Sequence, residues 1–290
     1  MRRAGRQIGH ASHPAPAGGL RTRPGGDGPP GRQWGVLSPD SPTSSLILGG
    51  VLWAVLALLI VRAVRKDRRE YSRFKRYRSS QSRRRMFRKW LIDSLVMFGG
   101  ASIVILALVW QYPPRLLAEV RRWPVSVWFS GVVERSNGLV PGLAIGLAVA
   151  LVGGTVLAVY LARKTVDVPA IGDISALLPR DRKELRYGIA LSINAGVVEE
   201  LLFRLAMPAL IFGVFGNAVV AVVGSILLFG ALHVYQGVAG IVGSIVIGGA
   251  LMVLYLATGS ILAAIVAHAL IDLRSLALIP VLVYRVHTRD

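Results

Sequence analysis

Apolar segments long enough to cross a bilayer recur along this chain, and they constrain its fold more than any other feature. A helix needs about 20 predominantly apolar residues to span the hydrocarbon core. The runs at 46–64, 91–112 and 139–162 meet this length. Because backbone polar groups find no water in lipid, such segments must fold as helices. With 53% hydrophobic residues, the sequence predicts an all-α, polytopic transmembrane bundle.

Further apolar segments in the C-terminal half bring the predicted bundle to about seven or eight helices. They lie at 187–208, 217–235, 238–258 and 261–282. Pro208 is expected to bend or end the first of them, because proline cannot donate a helical hydrogen bond. In the eight-helix version, the residues after Pro208 form a separate short or re-entrant helix.

Composition divides the chain into four regions. Residues 1–43 are rich in glycine, proline and arginine, and we expect a disordered tail. Residues 44–177 carry the first transmembrane helices and a strongly basic loop at 65–89. Residues 178–282 form a second helical bundle, and 283–290 form a C-terminal tail.

The formal net charge of +19 is concentrated in the tail and in loops beside the predicted spans. Cytoplasmic loops that face anionic lipid carry charge in this way, which favours a lipid bilayer and not nucleic acid as the partner. Placing the basic loops 65–89 and 163–186 in the cytoplasm gives seven spans with the N terminus outside. Tyr71, Phe74 and Tyr77 recur every three residues, which also fits an interfacial helix whose aromatic rings face lipid.

Polar motifs interrupt the apolar sequence at three places in the C-terminal half. An ionisable side chain at membrane depth costs roughly 2.5 kcal/mol or more, so such residues usually face the bundle interior and serve a function. We therefore expect the motifs to meet in one hydrated cavity. The motifs are Glu199-Glu200-x-x-x-Arg204, Phe229-x-x-x-His233 and His268-x-x-x-Asp272.

The first motif places two carboxylates in different surroundings. Helical residues four apart share a face, whereas neighbours diverge by about 100°. Glu200 is therefore in register to pair with Arg204, and Glu199 points elsewhere. A carboxylate held by arginine stays charged, whereas its neighbour is available for acid–base work. We interpret Glu199 as the base and the Glu200–Arg204 pair as orienting residues, with the reverse assignment left open.

The other two motifs supply imidazoles. Asp272 lies one turn from His268, where a carboxylate either fixes the imidazole tautomer or contacts substrate or water. Phe229 shares a face with His233 and is placed to shield it from lipid. With Glu199, these side chains could activate a water molecule and stabilise an oxyanion. Taken singly, each histidine also fits a helix–helix hydrogen bond, and Glu200–Arg204 also fits a structural ion pair.

The ordered set of motifs resembles the CPBP family, the CAAX prenyl endopeptidase and bacteriocin-processing proteins, also called the Abi family. The resemblance covers about residues 178–279. It implies an intramembrane endopeptidase in which Glu199 activates water, while His233, His268 and Asp272 complete the site. Asp272 stands where some members have asparagine, so their substrate preference does not carry over.

Several alternatives stay open at this stage. Glu199, His233 and His268 could instead hold a zinc ion, although the HExxH motif of helical zinc proteases is absent. A catalytically silent scaffold that binds a peptide or partner helix is one competing function, and a proton-coupled transporter is another. The absence of repeat symmetry argues against the transporter. The Arg/Ala/Gly-rich composition favours a bacterial plasma membrane protein that acts on a peptide or protein substrate.

Overall fold

The computed structural model describes residues 41–136 and 175–288, together with Leu37 and four positions between 153 and 160. Regular structure in these residues is helical, without a strand, which confirms the all-α prediction. Most of the predicted tail at 1–43 and of the predicted span at 139–162 lies outside them. The division into four regions and the number of spans therefore stay predictions.

The described residues form twelve α-helices, numbered in chain order. Four of the junctions between consecutive helices are π-helical, so each of these pairs forms one continuous helix. The junctions are Arg62–Asp67, Leu95–Gly99, Leu201–Ala206 and Arg274–Leu278. The helices are α1 (Pro42–Val61), α2 (Arg68–Phe74), α3 (Ser80–Ser94), α4 (Gly100–Val109), α5 (Tyr112–Val120), α6 (Pro124–Arg135), α7 (Arg182–Glu200), α8 (Met207–Phe215), α9 (Ala218–Leu232), α10 (Gly237–Thr258), α11 (Ile261–Leu273) and α12 (Ile279–Leu282).

Four helical stretches of the described chain are long and apolar enough to cross a membrane: Thr43–Phe74, Ser80–Val109, Ala218–Thr258 and Ile261–Leu282. The third contains α9 and α10, which double back and pack together. A Cβ added to Gly248 of α10 would lie 2.7 Å from the Phe229 ring of α9. The four apolar helical stretches indicate that the chain is an integral membrane protein.

The basic segment predicted as a loop at 65–89 is largely helical. The π-helical junction and α2 carry the first apolar helix on to Phe74, and α3 begins at Ser80, well before the predicted start of the second span at 91. Arginine, lysine and glutamate are good helix formers, so a helix that leaves the apolar layer continues into charged sequence. Only a short turn separates the two helices.

The helix that carries the glutamate motif is also longer than predicted. It begins at Arg182 because the Asp181 side chain caps it, accepting a hydrogen bond from the Glu184 backbone N–H at 2.7 Å. Pro208 does not end this helix, which continues to Phe215. The π-helical turn before Pro208 frees the Phe203 carbonyl, which accepts a hydrogen bond from Ser225 Oγ at 2.6 Å.

The prediction that Tyr71, Phe74 and Tyr77 face lipid is wrong. Tyr71 and Phe74 are 3% and 0% exposed, and Tyr77 packs beside them. The hairpin formed by α2 and α3 folds against α7, which gives these rings protein partners. The partners include Phe87, Trp90, Tyr187 and Tyr235.

Arg83 joins this hairpin to the start of α7, and its side chain is fully buried. Its Nε lies 3.1 Å from both carboxylate oxygens of Glu184, which is equally buried. The guanidinium also donates to the carbonyls of Ala176 and Leu178, at 2.9 and 3.1 Å, and lies 4.4 Å from the centre of the Phe74 ring. These contacts hold the α2–α3 hairpin and the start of α7 together at one end of the bundle.

Candidate active site

A cavity of about 370 Å³ lies between the helices, and all three motifs contribute to its wall. Glu199 reaches it from α7, and Phe229 and His233 reach it from the end of α9. His268 and Asp272 line it from α11. The structure thus brings together residues that lie as far as 73 positions apart in the sequence.

Close packing of α7 on α11 sets the distance between the carboxylates and His268. A Cβ added to Gly196 would lie 3.0 Å from both the Cβ and the backbone N of Ala269, and 3.0 Å from the Ile265 carbonyl. Only glycine permits this approach of one helix backbone to another. Glu199 and Glu200 follow one turn later and therefore meet His268 directly.

Glu200 is fully buried and connects Arg204 to His268. Its Oε1 lies 3.0 Å from Arg204 Nη1 and accepts a hydrogen bond of 2.6 Å from His268 Nδ1. Arg204 also donates to the Gly248 carbonyl at 3.2 Å and stacks 4.6 Å from the centre of the Phe229 ring. Because His268 Nδ1 is held in this way, the tautomer and orientation of the ring are fixed.

The opposite nitrogen of His268 faces two further carboxylates. His268 Nε2 lies 4.0 Å from Glu199 Oε2 and 3.7 Å from Asp272 Oδ2. Both separations exceed a direct hydrogen bond but suit one bridging water molecule. The Glu199 and Asp272 side chains are 17% and 34% exposed, whereas Glu200 is 0% exposed. Glu200, and not Asp272, thus holds Nδ1 of the ring. The second predicted role of Asp272, contact with substrate or water, stays a prediction.

His233 occupies the short 3₁₀ turn His233–Gln236 that follows α9. Its Nδ1 donates to the Phe229 carbonyl at 2.8 Å, and the two rings lie 4.8 Å apart. In this tautomer Nε2 is an acceptor, so it donates a hydrogen bond only when the ring carries a second proton. Phe229 therefore both positions His233 and covers it, in agreement with the predicted shielding.

Residues 182–274, which contain all three motifs, match the family model of the Rce1-like type II CAAX prenyl endopeptidases. This part of the chain is therefore similar to that family. No curated protein and no solved structure gives a significant match to the chain. At family level, this similarity supports a CAAX-protease-like intramembrane endopeptidase, with the lipid bilayer as its surroundings and a peptide as its substrate.

The predicted zinc ligands of the Rce1-like region do not form a metal site in this arrangement. Within the described part of the chain, no three His, Cys, Asp or Glu side chains are grouped so that they could hold a metal ion. His268 Nδ1 is engaged by Glu200 and His233 Nδ1 by a backbone carbonyl, which leaves only the Nε2 atom of each ring open to a further ligand. This arrangement gives the zinc hypothesis no support in the described residues.

Two cavity residues outside the Rce1-like region were not identified from the sequence. Arg62 and Asp67 line the cavity, and Arg62 Nε lies 3.3 Å from Asp67 Oδ2. The π-helical turn between α1 and α2 places residues five apart on one face, which brings this pair together. The sequence offered one signal, a pair of opposite charges that straddles the end of an apolar run. Arg62 lies near the end of the predicted span 46–64, and Asp67 lies in the predicted loop 65–89.

Proposed function

We propose that this chain is an intramembrane endopeptidase that hydrolyses peptide bonds with a water molecule activated by Glu199. The observation that supports this most is the position of Glu199 Oε2, 4.0 Å from the Nε2 atom of an imidazole that Glu200 holds in place. A water molecule placed to the side of these two atoms, in the cavity, is within hydrogen-bond reach of both. In this arrangement Glu199 is the base, the water molecule is the nucleophile, and His268 is an oriented imidazole that can become positively charged.

The proposed reaction begins when the Glu199 carboxylate removes a proton from this water. The hydroxide oxygen forms a bond to the carbonyl carbon of the substrate, and the carbonyl oxygen takes up negative charge. Protonated His268 or His233 donates a hydrogen bond to that oxygen. Glu199 then returns its proton to the amide nitrogen, the C–N bond breaks, and a carboxylic acid and an amine are released.

The neighbouring side chains support this chemistry in two ways. Asp272, 3.7 Å from His268 Nε2, carries a negative charge that stabilises the protonated ring. The Phe229 ring lies 6.1 Å from His268 and 4.8 Å from His233, so it covers both imidazoles. A site screened from water strengthens the electrostatic interactions within it. We place this activity in a bacterial plasma membrane, while the scaffold and transporter alternatives stay predictions.

The proposal is tested by comparing membrane-derived peptides from cells that produce the wild-type protein or the His233→Gln variant. We expect new peptide termini with the wild type, and termini formed about 10²- to 10³-fold more slowly with the variant, because an oxyanion donor is lost. His287→Gln is the control, since His287 is exposed in a C-terminal turn and does not line the cavity. Equal cleavage by wild type and His233→Gln would contradict the proposal.

The proposed chemistry requires no metal, which metal analysis can check. Protein purified without chelators is expected to cleave its peptide while containing far less than one zinc ion per chain. Stoichiometric zinc whose removal abolishes cleavage would overturn the metal-free reaction. It would also indicate that Glu199, His233 and His268 rearrange to bind it.

A further inference from the structure

A second concave surface lies on a different face of α3 from the cavity. It is a groove of about 520 Å³ between α3 and α7, and no acidic side chain is among the described residues that line it. Its wall contains five cationic side chains. Three come from α3 and two from α7: Arg84, Arg85, Arg88, Lys183 and Arg186.

The acids nearest to this groove are already engaged. Glu184 pairs with buried Arg83. Asp181 accepts hydrogen bonds from Ser80 and from the first turn of α7, while Arg84 interacts with it only at longer range. Burial acts to raise the pKa of Asp181, but these hydrogen bonds outweigh burial and hold that pKa below its usual value.

The cations of the groove therefore concentrate positive charge that the described chain does not neutralise. None of the five makes an ion pair with the described residues. Lys183 and Arg186 lie in the first turns of α7, where the helix dipole already contributes positive potential and disfavours cations. Both effects raise the energy of the empty groove and favour a bound anion.

Apolar side chains continue the same faces of both helices beyond the cations. Leu95 and Val96, at the start of the π-helical junction that continues α3, are 55% and 63% exposed. Ile193 and Val197 of α7 are 50% and 36% exposed. In a membrane protein, such exposed apolar surface contacts acyl chains. The order along the groove, cations first and apolar surface next, is the order of headgroup and acyl chain in a phospholipid.

We propose that this groove binds the phosphate headgroup of an anionic phospholipid, with the acyl chains lying along the apolar faces of α3 and α7. An acidic peptide would match the cations but would gain nothing from the apolar continuation, which favours lipid. The bound phosphate bridges α3 and α7 next to the Arg83–Glu184 pair and steadies the helices that form one wall of the cavity. The proposal does not depend on the proposed peptidase activity.

The test uses native mass spectrometry of the full-length protein in detergent, titrated with phosphatidylglycerol or phosphatidylcholine. The wild type is expected to bind phosphatidylglycerol more tightly. The Arg88→Gln/Arg186→Gln variant is expected to bind it on the order of 30-fold more weakly, because each cation near an anionic lipid surface contributes a separate increment of affinity. Binding of phosphatidylcholine should be unchanged.

A matched variant separates the groove from general surface charge. Arg73→Gln/Arg182→Gln removes the same amount of charge, from α2 and α7, but both residues are exposed and neither lines the groove. It is expected to bind phosphatidylglycerol like the wild type. Equal losses in the two variants, or no loss in Arg88→Gln/Arg186→Gln, would overturn the proposal.

Competition identifies the source of the phosphate. Inorganic phosphate at the concentration of the lipid is expected to leave phosphatidylglycerol binding unchanged, because it lacks the acyl chains. Equal displacement by inorganic phosphate would overturn the lipid assignment. A polyglutamate peptide that displaces the lipid more effectively than a second phosphatidylglycerol molecule would overturn it as well.

Discussion

Replacing Glu199 by glutamine is expected to lower peptide cleavage by about 10²- to 10⁴-fold while the protein stays folded in the membrane. Glutamine has nearly the same size but cannot take a proton from water. The cavity wall keeps its shape, and the contact between Glu200 and His268 at 2.6 Å is untouched. The measurement is the initial rate of cleavage of an identified peptide by protein in proteoliposomes.

Two companion variants make this result specific. Glu134→Gln changes an exposed glutamate at the end of α6, outside the cavity, and should cleave at the wild-type rate. Glu200→Gln should reduce both cleavage and thermal stability, because it removes the partner of buried Arg204. Cleavage by Glu199→Gln at the wild-type rate would refute its assignment as the base. Full stability with abolished cleavage in Glu200→Gln alone would favour the reverse assignment.

Arg83→Met is expected to lower the free energy of unfolding by about 3–5 kcal/mol. The substitution leaves the fully buried Glu184 carboxylate without its cation, and it removes the donor to the carbonyls of Ala176 and Leu178. Leaving such groups unsatisfied costs more than the original pair gained. The measurement is unfolding by a denaturing detergent in mixed micelles, followed by circular dichroism.

Removing both the Arg83 and the Glu184 charge tests whether the loss of stability comes from an unpaired buried carboxylate. Arg83→Met/Glu184→Met should recover part of the lost stability, since no unpaired charge is then buried. Recovery should be incomplete, because the two carbonyls still lack their donor. Arg78→Met, at an exposed arginine of the turn between α2 and α3, should change stability by no more than about 0.5 kcal/mol. Wild-type stability in Arg83→Met would show that the pair does not hold the hairpin to α7.

The convergence of the three motifs could be predicted because the bilayer penalises ionisable side chains so strongly. Few arrangements satisfy Glu199, His233 and His268 at membrane depth, and a shared cavity is the simplest. The register of Glu200 and Arg204 followed from helix periodicity, and their atoms lie 3.0 Å apart. Both features follow from the geometry of a single helix and from the cost of placing ionisable side chains in lipid.

Which carboxylate holds His268 could not be predicted, because it depends on how two helices are rotated against each other. Spacing allowed Asp272 to do so, since it lies one turn away on the same helix. The close contact of Gly196 with Ala269 instead brings Glu200 to Nδ1. Contacts of this kind join residues far apart in sequence, and a motif read on one helix does not contain them.

The helical structure of the basic segment 65–89 could not be predicted either, because it also depends on contacts between helices far apart in the sequence. Hydropathy marks where a helix leaves the apolar layer, but it does not mark where the helix ends. The burial of Tyr71 and Phe74 depends on docking of the α2–α3 hairpin against α7 through Arg83 and Glu184. Aromatic residues have the same spacing along a helix whether they pack against protein or face lipid, so the spacing alone does not distinguish the two.

The α2–α3 hairpin and the turn before it also affect how relatives of this protein can diverge. Arg62, Asp67, Tyr71 and Trp90 line the cavity, yet all four lie outside residues 182–274. The three motifs and the opposing wall of the cavity thus lie in separate stretches of the chain. Substitutions at these four positions can therefore reshape the cavity while all three motifs stay unchanged.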